Sequence, residues 1–66
     1  MTEHTYLVLE VVGTAKTSIE DAISNALAAV ADGKVLRWFE VLETRGYIEG
    51  DAVAYYQVKV KVGYHT

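Results

Sequence analysis

Apolar and polar residues alternate in the second half of the chain in a way that predicts two long β-strands. In the first of them, from Val35 to about Ile48, Phe39 and Val41 lie on one face and Trp38 and Glu40 on the other, because successive side chains of a strand point to opposite faces. The chain has one tryptophan. The pattern therefore predicts a strand whose largest side chain points away from the core.

The second long strand is predicted from Ala52 to Tyr64, after a Gly50-Asp51 turn of hairpin type. One face carries Tyr56, Val58, Val60 and Val62, and the other carries Gln57, Lys59 and Lys61. With a two-residue turn, the predicted cross-strand pairs are Phe39–Val62, Val41–Val60, Glu40–Lys61 and Trp38–Gly63. Such apolar and opposite-charge pairs stabilise a sheet, and a shift of one residue would expose the valines.

The first strand is predicted from Thr5 to Val12, ending at Gly13-Thr14. Its sequence is nearly continuous in hydrophobicity and is interrupted by Glu10, which is typical of a strand covered on both faces. The second cover could come from another subunit. A central strand with a poorly patterned outer face fits the same residues.

One amphipathic helix is predicted between the first two strands. Thr17 and Glu20 fit a capping box at its start. Apolar residues then recur on one stripe at helical spacing: Ile19, Ala22, Ile23, Ala26, Leu27 and Val30. Asp32-Gly33 ends the helix, and Gly33 suits a left-handed C-terminal cap. The order of elements predicts an α+β fold, β-α-β-β, in which a three-stranded antiparallel sheet partly wraps around one helix.

The length of 66 residues predicts a single domain, 1–66, with a marginal core, because so short a chain buries only about 60% of its unfolded surface. Small domains usually compensate with disulfides, a metal or oligomerisation. Cysteine is absent, and His4 and His65 form no recognisable metal-ligand pair. Oligomerisation is the remaining means of stabilisation, and a hydrophobic content of 52% fits it. We therefore expect an oligomer.

The net charge of −3 argues against a duplex nucleic-acid partner, which normally meets a concentrated basic face. This net charge does not exclude a small anionic ligand held by one or two arginines. No apolar run approaches the roughly 20 residues that a membrane span needs, and Met1 to Thr5 lack the pattern of a signal peptide. We expect a cytoplasmic protein that does not bind membranes.

Trp38 and Gln57 share the outward face of the predicted hairpin, yet they stand on the order of 20 Å apart at roughly 3.3 Å per residue. One small ligand could touch both if they came from different subunits. Trp38 fits an interface aromatic or a stacking platform for a flat ligand, and Gln57 alone fits a solvated strand residue. The sequence contains no phosphate loop, nucleophile elbow or metal-binding helix motif, and no catalytic residue is predicted.

Several segments of the chain form a recognisable set: Glu10-Val11-Val12-Gly13-Thr14, Ser18-Ile19-Glu20-Asp21-Ala22-Ile23, Arg37-Trp38-Phe39-Glu40-Val41, Arg45-Gly46, Tyr56-Gln57-Val58 and Lys61-Val62-Gly63. Together these segments resemble the dodecin family. They span nearly the whole chain in order, and the spacing from tryptophan to glutamine agrees. The resemblance implies a β-α-β-β fold around a helix, a hollow cubic homododecamer, and flavins stacked as antiparallel pairs between two symmetry-related tryptophans at subunit interfaces.

Carried over to this chain, the resemblance implies three flavin-binding residues. Trp38 would stack on the ring system, Gln57 would hydrogen-bond its edge, and Arg45 matches the arginine of bacterial-type members that favour flavin mononucleotide (FMN). Riboflavin and other flavins remain possible ligands. Arg45 faces inward in the predicted register, so its access to a ligand requires an irregularity near Gly46, such as a bulge.

Coenzyme A is a ligand of some bacterial members, which hold it with basic residues near the helix end and the C-terminus. Ala28 and His65 stand where arginines are often found, and Thr66 is the last residue. Lys34 is still available, but coenzyme A binding is doubtful for this chain.

The resemblance implies a flavin-binding and storage protein that sequesters, quenches and protects its ligand. The alternative is a structural assembly protein in which Trp38 seals an interface and has no flavin role. A flavoenzyme is the weakest hypothesis, because no acid, base or nucleophile on the substrate side is identifiable.

Overall fold

The computed structural model describes residues 5–66, so the predictions for His4 and the first few residues lie outside the described part. The elements follow the order β-α-β-β, which confirms the predicted α+β fold. They are β1 (Leu7–Ala15), α1 (Ile19–Val30), β2 (Val35–Glu49) and β3 (Ala52–His65). β1 begins and ends later than expected, because its pairing with β3 runs from Leu7 to Ala15.

The sheet is antiparallel in the order β1-β3-β2, with β3 in the centre. Gly50 and Asp51 connect β2 to β3 with φ angles of 57° and 68°, the left-handed values that a two-residue hairpin turn requires. All four predicted cross-strand pairs are confirmed: Phe39–Val62, Val41–Val60, Glu40–Lys61 and Trp38–Gly63. A uniform register along the hairpin is wrong, because the pairing shifts between Leu36 and Trp38, Val41 and Glu43, and Tyr47 and Ile48.

The helix starts one residue later than the predicted capping box. Ser18 is the N-cap, and its hydroxyl oxygen accepts a hydrogen bond from the backbone N–H of Asp21 at 3.0 Å. Thr17 instead donates its hydroxyl to the Asp21 carboxylate. Thr17 and Glu20 therefore do not form the predicted box, since the neighbouring serine has the same capping chemistry. The left-handed conformation of Gly33 is confirmed by a φ of 73°, but the C-cap itself is Ala31.

The core lies between α1 and the sheet strands β1 and β3. Five side chains there are essentially inaccessible to solvent: Ala22, Ala26, Val58, Val60 and Val62. Gly13 lets the helix approach this closely, because a Cβ at that position would run into the Ala22 carbonyl oxygen and lie 2.7 Å from the Ala26 Cβ. Small residues on both partners thus set the distance between helix and sheet.

The helix leaves β2 uncovered. It packs on β1 and β3, so Phe39 and Val41, on the core-facing side of β2, stay 46% and 44% exposed. We call these two residues the β2 apolar strip. On the other face of the sheet, Val8 and Val12 of β1 are about half exposed as well. The second cover expected for β1 is therefore not supplied by the described part of this chain.

Candidate functional site

The predicted site residues lie on the outer face of the sheet, which is turned away from α1. Because the buried valines of β3 pack on the helix, the alternate residues of β3 and their partners define this outer face. Trp38 lies opposite Gly63 near one end of the β2–β3 ladder, and Arg45 lies opposite Gln57 towards the hairpin turn. All three predicted flavin-binding residues thus share one surface.

Arg45 occupies a different face from the one that the sequence predicted. β2 contains one extra residue at Leu42, between the pairs Val41–Val60 and Glu43–Lys59. This bulge exchanges the two faces for the following residues, and it places Arg45 directly across from Gln57 on the outer face. The inward position of Arg45 is therefore wrong. The irregularity expected near Gly46 is confirmed, because the register shifts between Tyr47 and Ile48 as well as at Leu42, and the shift at Leu42 is the one that turns Arg45 outward.

The Trp38 indole lies on the backbone of Gly63. A Cβ built on Gly63 would overlap three adjacent indole atoms, Cε2, Nε1 and Cζ2, at nearly equal separations. Cε2, a ring-fusion atom, is the nearest of the three, and its bonded neighbours are slightly farther away, which means that Gly63 faces the plane of the ring rather than its edge. Gly63 is buried although it lies on the outer face, and Trp38 remains 40% exposed. One face of the indole is therefore held against the strand while the side chain stays accessible.

Tyr6 packs beside the indole. The Tyr6 and Trp38 ring centroids are 6.4 Å apart with an interplanar angle of 76°, an edge-to-face arrangement that aromatic pairs favour. The imidazole of His65 lies 6.4 Å from the Tyr6 ring at 47°. We call Tyr6, Trp38 and Gly63 the indole cluster. The sequence pattern did not single out Tyr6, because the pairing of β1 with β3 brings it there.

The second group consists of Gln57 and Arg45, the amide–guanidinium pair. The Arg45 Nη2 lies 2.9 Å from the Glu43 Oε1, and both side chains are about half exposed. Hydrogen bonding to Tyr47 and then to Glu43 raises the pKa of Arg45 above its ordinary value. A raised pKa favours the protonated form, so the guanidinium is cationic throughout the working pH range. The pair thus offers an amide and a fixed positive charge on an open surface.

Charged side chains fill the rows between the two groups. Lys61 lies 3.9 Å from Glu40, and Lys59 lies 3.6 Å from Glu10. Exposed ion pairs of this kind contribute little stability, but they place both signs of charge across the middle of the outer face. A surface with alternating charges can pair with a second copy of itself.

The indole cluster and the amide–guanidinium pair are too far apart to share one small ligand within one chain. Gln57 lies about six residues before Gly63 on β3, which at roughly 3.3 Å per residue corresponds to on the order of 20 Å. Residues 5–66 of the single chain form no enclosed pocket. A ligand that contacts both groups therefore requires two chains.

Within residues 5–66, no group of three or more histidine, cysteine or acidic side chains is arranged to hold a metal ion. The helix described in this part of the chain is too short to cross a membrane. Sequence reasoning missed Glu43 and Tyr47 as neighbours of Arg45, because the faces of residues 43–47 depend on the bulge at Leu42. No apolar alternation in Glu-Thr-Arg-Gly-Tyr marks which face each residue takes.

Comparison with known proteins gives a consistent result. A family model described as Dodecin matches residues 5–66. A dodecin of Thermus thermophilus is 45% identical, with 89% of this chain and 87% of that protein covered. The solved dodecin of Streptomyces coelicolor is 42% identical with a TM-score of 0.88 over 100% of this chain and 96% of that one. The dodecin of Streptomyces davaonensis is 36% identical with a TM-score of 0.88 over 98% and 97%.

Proposed function

This chain belongs to the dodecin family, and from that membership and the geometry of its outer face we propose that it binds, stores and sequesters flavin. The proposed assembly is a hollow homododecamer in which pairs of flavins stack between Trp38 side chains of neighbouring subunits. FMN is the proposed ligand, with riboflavin and other flavins as alternatives. The cytoplasmic location expected from the sequence stays a prediction.

The observation that carries the proposal is the position of the Trp38 indole. It lies against the backbone of Gly63 with 40% of its surface exposed, in an orientation already suited to stacking. A flavin ring is flat and aromatic, and stacking of a base on an aromatic side chain is worth about 1–3 kcal/mol. A preorganised indole loses little side-chain freedom on binding, which favours affinity.

The amide–guanidinium pair fits the other parts of a flavin. The Gln57 amide has both donors and acceptors, which match the carbonyl and N–H groups at the edge of the flavin ring. The Arg45 guanidinium suits the FMN phosphate. Because these residues lie on the order of 20 Å from the indole of the same chain, we assign them to the flavin that stacks on a neighbouring subunit's Trp38.

The proposed mechanism is non-covalent. Bound flavin brings the light-absorbing ring system, and the residues of this chain hold it. Trp38 covers its face, Gln57 orients its edge, and Arg45 neutralises its phosphate. Close stacking on the electron-rich Trp38 indole would quench the excited ring and so limit photochemical damage. These roles require no acid, base or nucleophile, and we propose that the protein is not an enzyme.

A second candidate function is structural assembly without flavin. The exposed β2 apolar strip favours it, because an apolar surface of this kind favours contact with another chain. In that case Trp38 would seal a subunit interface. The two functions predict different results when the indole is removed, because flavin binding depends on Trp38 in the first function and not in the second.

The test is a Trp38→Ala variant, with Ile48→Ala as the matched control. Ile48 is 77% exposed and lies outside the proposed site, so its removal measures the general effect of losing an exposed apolar side chain. Flavin affinity is measured by fluorescence quenching, and the mass of the assembly by light scattering.

We expect Trp38→Ala to keep the mass of the parent assembly and to bind FMN about 5- to 150-fold more weakly, the loss of about 1–3 kcal/mol of stacking. Ile48→Ala should bind like the parent. Parent-like binding by Trp38→Ala would contradict the proposal. Loss of the assembly in Trp38→Ala, together with undiminished flavin fluorescence in the presence of the parent, would establish the structural function instead.

A further inference from the structure

Gly63 is the position on the outer face where a side chain would change the indole most directly. It lies in the interior of β3, paired with Val8 of β1 on one side and with Trp38 of β2 on the other. Glycine weakens a strand interior, and there it often marks a close approach of another group. Here the approaching group is the Trp38 indole, which occupies the space that a side chain at position 63 would fill.

The geometry defines how the indole depends on the glycine. A Cβ on Gly63 would stand over the indole atom Cε2, with Nε1 and Cζ2 next to it, far inside the roughly 3.5–4.0 Å at which carbon atoms make contact. The ring cannot keep its present position over any residue other than glycine. It would have to rotate about its side-chain torsions or lift away from the strand.

Tyr6 restricts the indole from another side. Its ring meets the indole edge-to-face at 6.4 Å, so an indole displaced from Gly63 would also lose this contact. Glycine below and tyrosine beside the ring thus select one orientation of Trp38. The face turned away from Gly63 is the one that remains for a ligand.

We propose that Gly63 is a positioning residue for the ligand site. Because it has no side chain, the Trp38 indole can lie flat on the strand backbone, in the orientation that stacking requires. This inference rests on the proposed flavin function for its binding consequence. The orientation of the indole can be tested without any flavin, because the chain contains one tryptophan. Its fluorescence and near-ultraviolet circular dichroism report this ring when both are recorded at the long-wavelength edge, where the five tyrosines do not absorb.

The experiment compares Gly63→Ala with Gly46→Ala in the full-length assembled protein. Gly46 also lies inside a strand, but a Cβ there would meet only the Tyr55 carbonyl oxygen at 3.7 Å, an ordinary contact. Both variants add one methyl group to a strand glycine. Only Gly63→Ala places that methyl group under the indole.

We expect Gly63→Ala to shift the tryptophan emission to longer wavelength, to reduce the near-ultraviolet signal, and to raise the Kd for FMN about 5- to 150-fold, the range of one lost stacking contact. Gly46→Ala should match the parent in all three measurements. Emission and dichroism of Gly63→Ala that superimpose on those of the parent would overturn the proposal.

The double variant Trp38→Ala/Gly63→Ala covers the case in which Gly63→Ala does not fold. If the methyl group acts through the indole, the double variant should fold and unfold like Trp38→Ala alone, since non-additivity of this kind measures direct coupling. A double variant that is much less stable than Trp38→Ala would overturn the proposal, because the methyl group would then act on the strand itself.

The two proposals fail in different ways. If the parent binds no FMN, the proposed flavin function fails. The tryptophan fluorescence and dichroism then still decide whether Gly63 positions the indole. If the parent binds FMN and Gly63→Ala binds it equally well with an unchanged tryptophan spectrum, the positioning role of Gly63 is refuted and the flavin function stands.

Discussion

Replacing Phe39 by alanine is expected to weaken self-association while leaving the core under α1 intact. Phe39 pairs with Val62 on the core-facing side of the sheet, yet it is 46% exposed because the helix packs on β1 and β3. The proposed dodecamer would cover this surface with a neighbouring chain. The variant removes the ring and keeps the backbone pairing.

The exposed fraction sets the size of the effect. A large aromatic side chain presents about 150–250 Å², so the 46% of Phe39 that is exposed leaves about 70–115 Å² to be buried by a partner. At about 25 cal/mol per Å² this corresponds to about 2–3 kcal/mol per chain. A loss of about 2 kcal/mol per contact would lower the association constant about 30-fold.

The assay is light scattering on a dilution series, with Phe39→Leu as the control because leucine retains an apolar side chain at the same position. We expect Phe39→Ala to dissociate at higher protein concentration than the parent, and Phe39→Leu to lie close to the parent. An alanine variant that keeps the parent mass at every concentration at which the parent is assembled would refute the reasoning, since the β2 apolar strip would then not lie in an interface.

Three further predictions concern the contact between the helix and Gly13, and the ligand phosphate. Gly13→Ala should lower the urea midpoint of unfolding, because overpacking against Ala22 and Ala26 costs about 1–3 kcal/mol; at equal protein concentration a curve matching that of Gly46→Ala would contradict this. Arg45→Ala should weaken FMN more than riboflavin, and equal losses for the two ligands would argue against a phosphate contact. Since the pKa of Arg45 is raised and the guanidinium stays charged, the preference of the parent for FMN should fall as the pH drops below about 6, where the phosphate dianion takes up one proton and loses one of its two negative charges.

The sequence predicted the hairpin around Trp38 well. The alternation in β3 specifies its two faces, because a slip of one residue would expose the buried valines. The register counted from the Gly50-Asp51 turn holds around Trp38 because the shift between Tyr47 and Ile48 and the shift at Leu42 offset each other. The same pattern therefore placed Trp38 opposite Gly63 correctly. The resemblance to a family then supplied a role for the exposed indole, which the alternation alone left open.

The face of Arg45 could not be predicted from the pattern. A bulge at Leu42 adds one residue to β2, and the following polar residues carry no apolar alternation that would reveal the change. The start of the helix was missed by one residue for a similar reason, since Thr17 and Ser18 are both capable N-caps. Local chemistry allowed two solutions in each case. Pairing with β3 selects the face of Arg45, whereas at the helix start it is Ser18 that accepts the hydrogen bond from the Asp21 N–H.

The edge-to-face contact of Tyr6 with Trp38 shows a different limit. It depends on β1 pairing with β3 so that Val8 lies opposite Gly63. The order of strands in a sheet is not encoded in the periodicity of any one strand. A contact between chain segments on either side of β3, such as Tyr6 with Trp38, could therefore not be predicted from the sequence alone.

The most direct test of the proposed function is a titration of FMN fluorescence with purified, flavin-free protein. Paired stacking of flavins on Trp38 predicts strong quenching that saturates near one flavin per chain. Fluorescence that stays unchanged at saturating protein would contradict flavin binding and would leave Trp38 as the seal of a subunit interface.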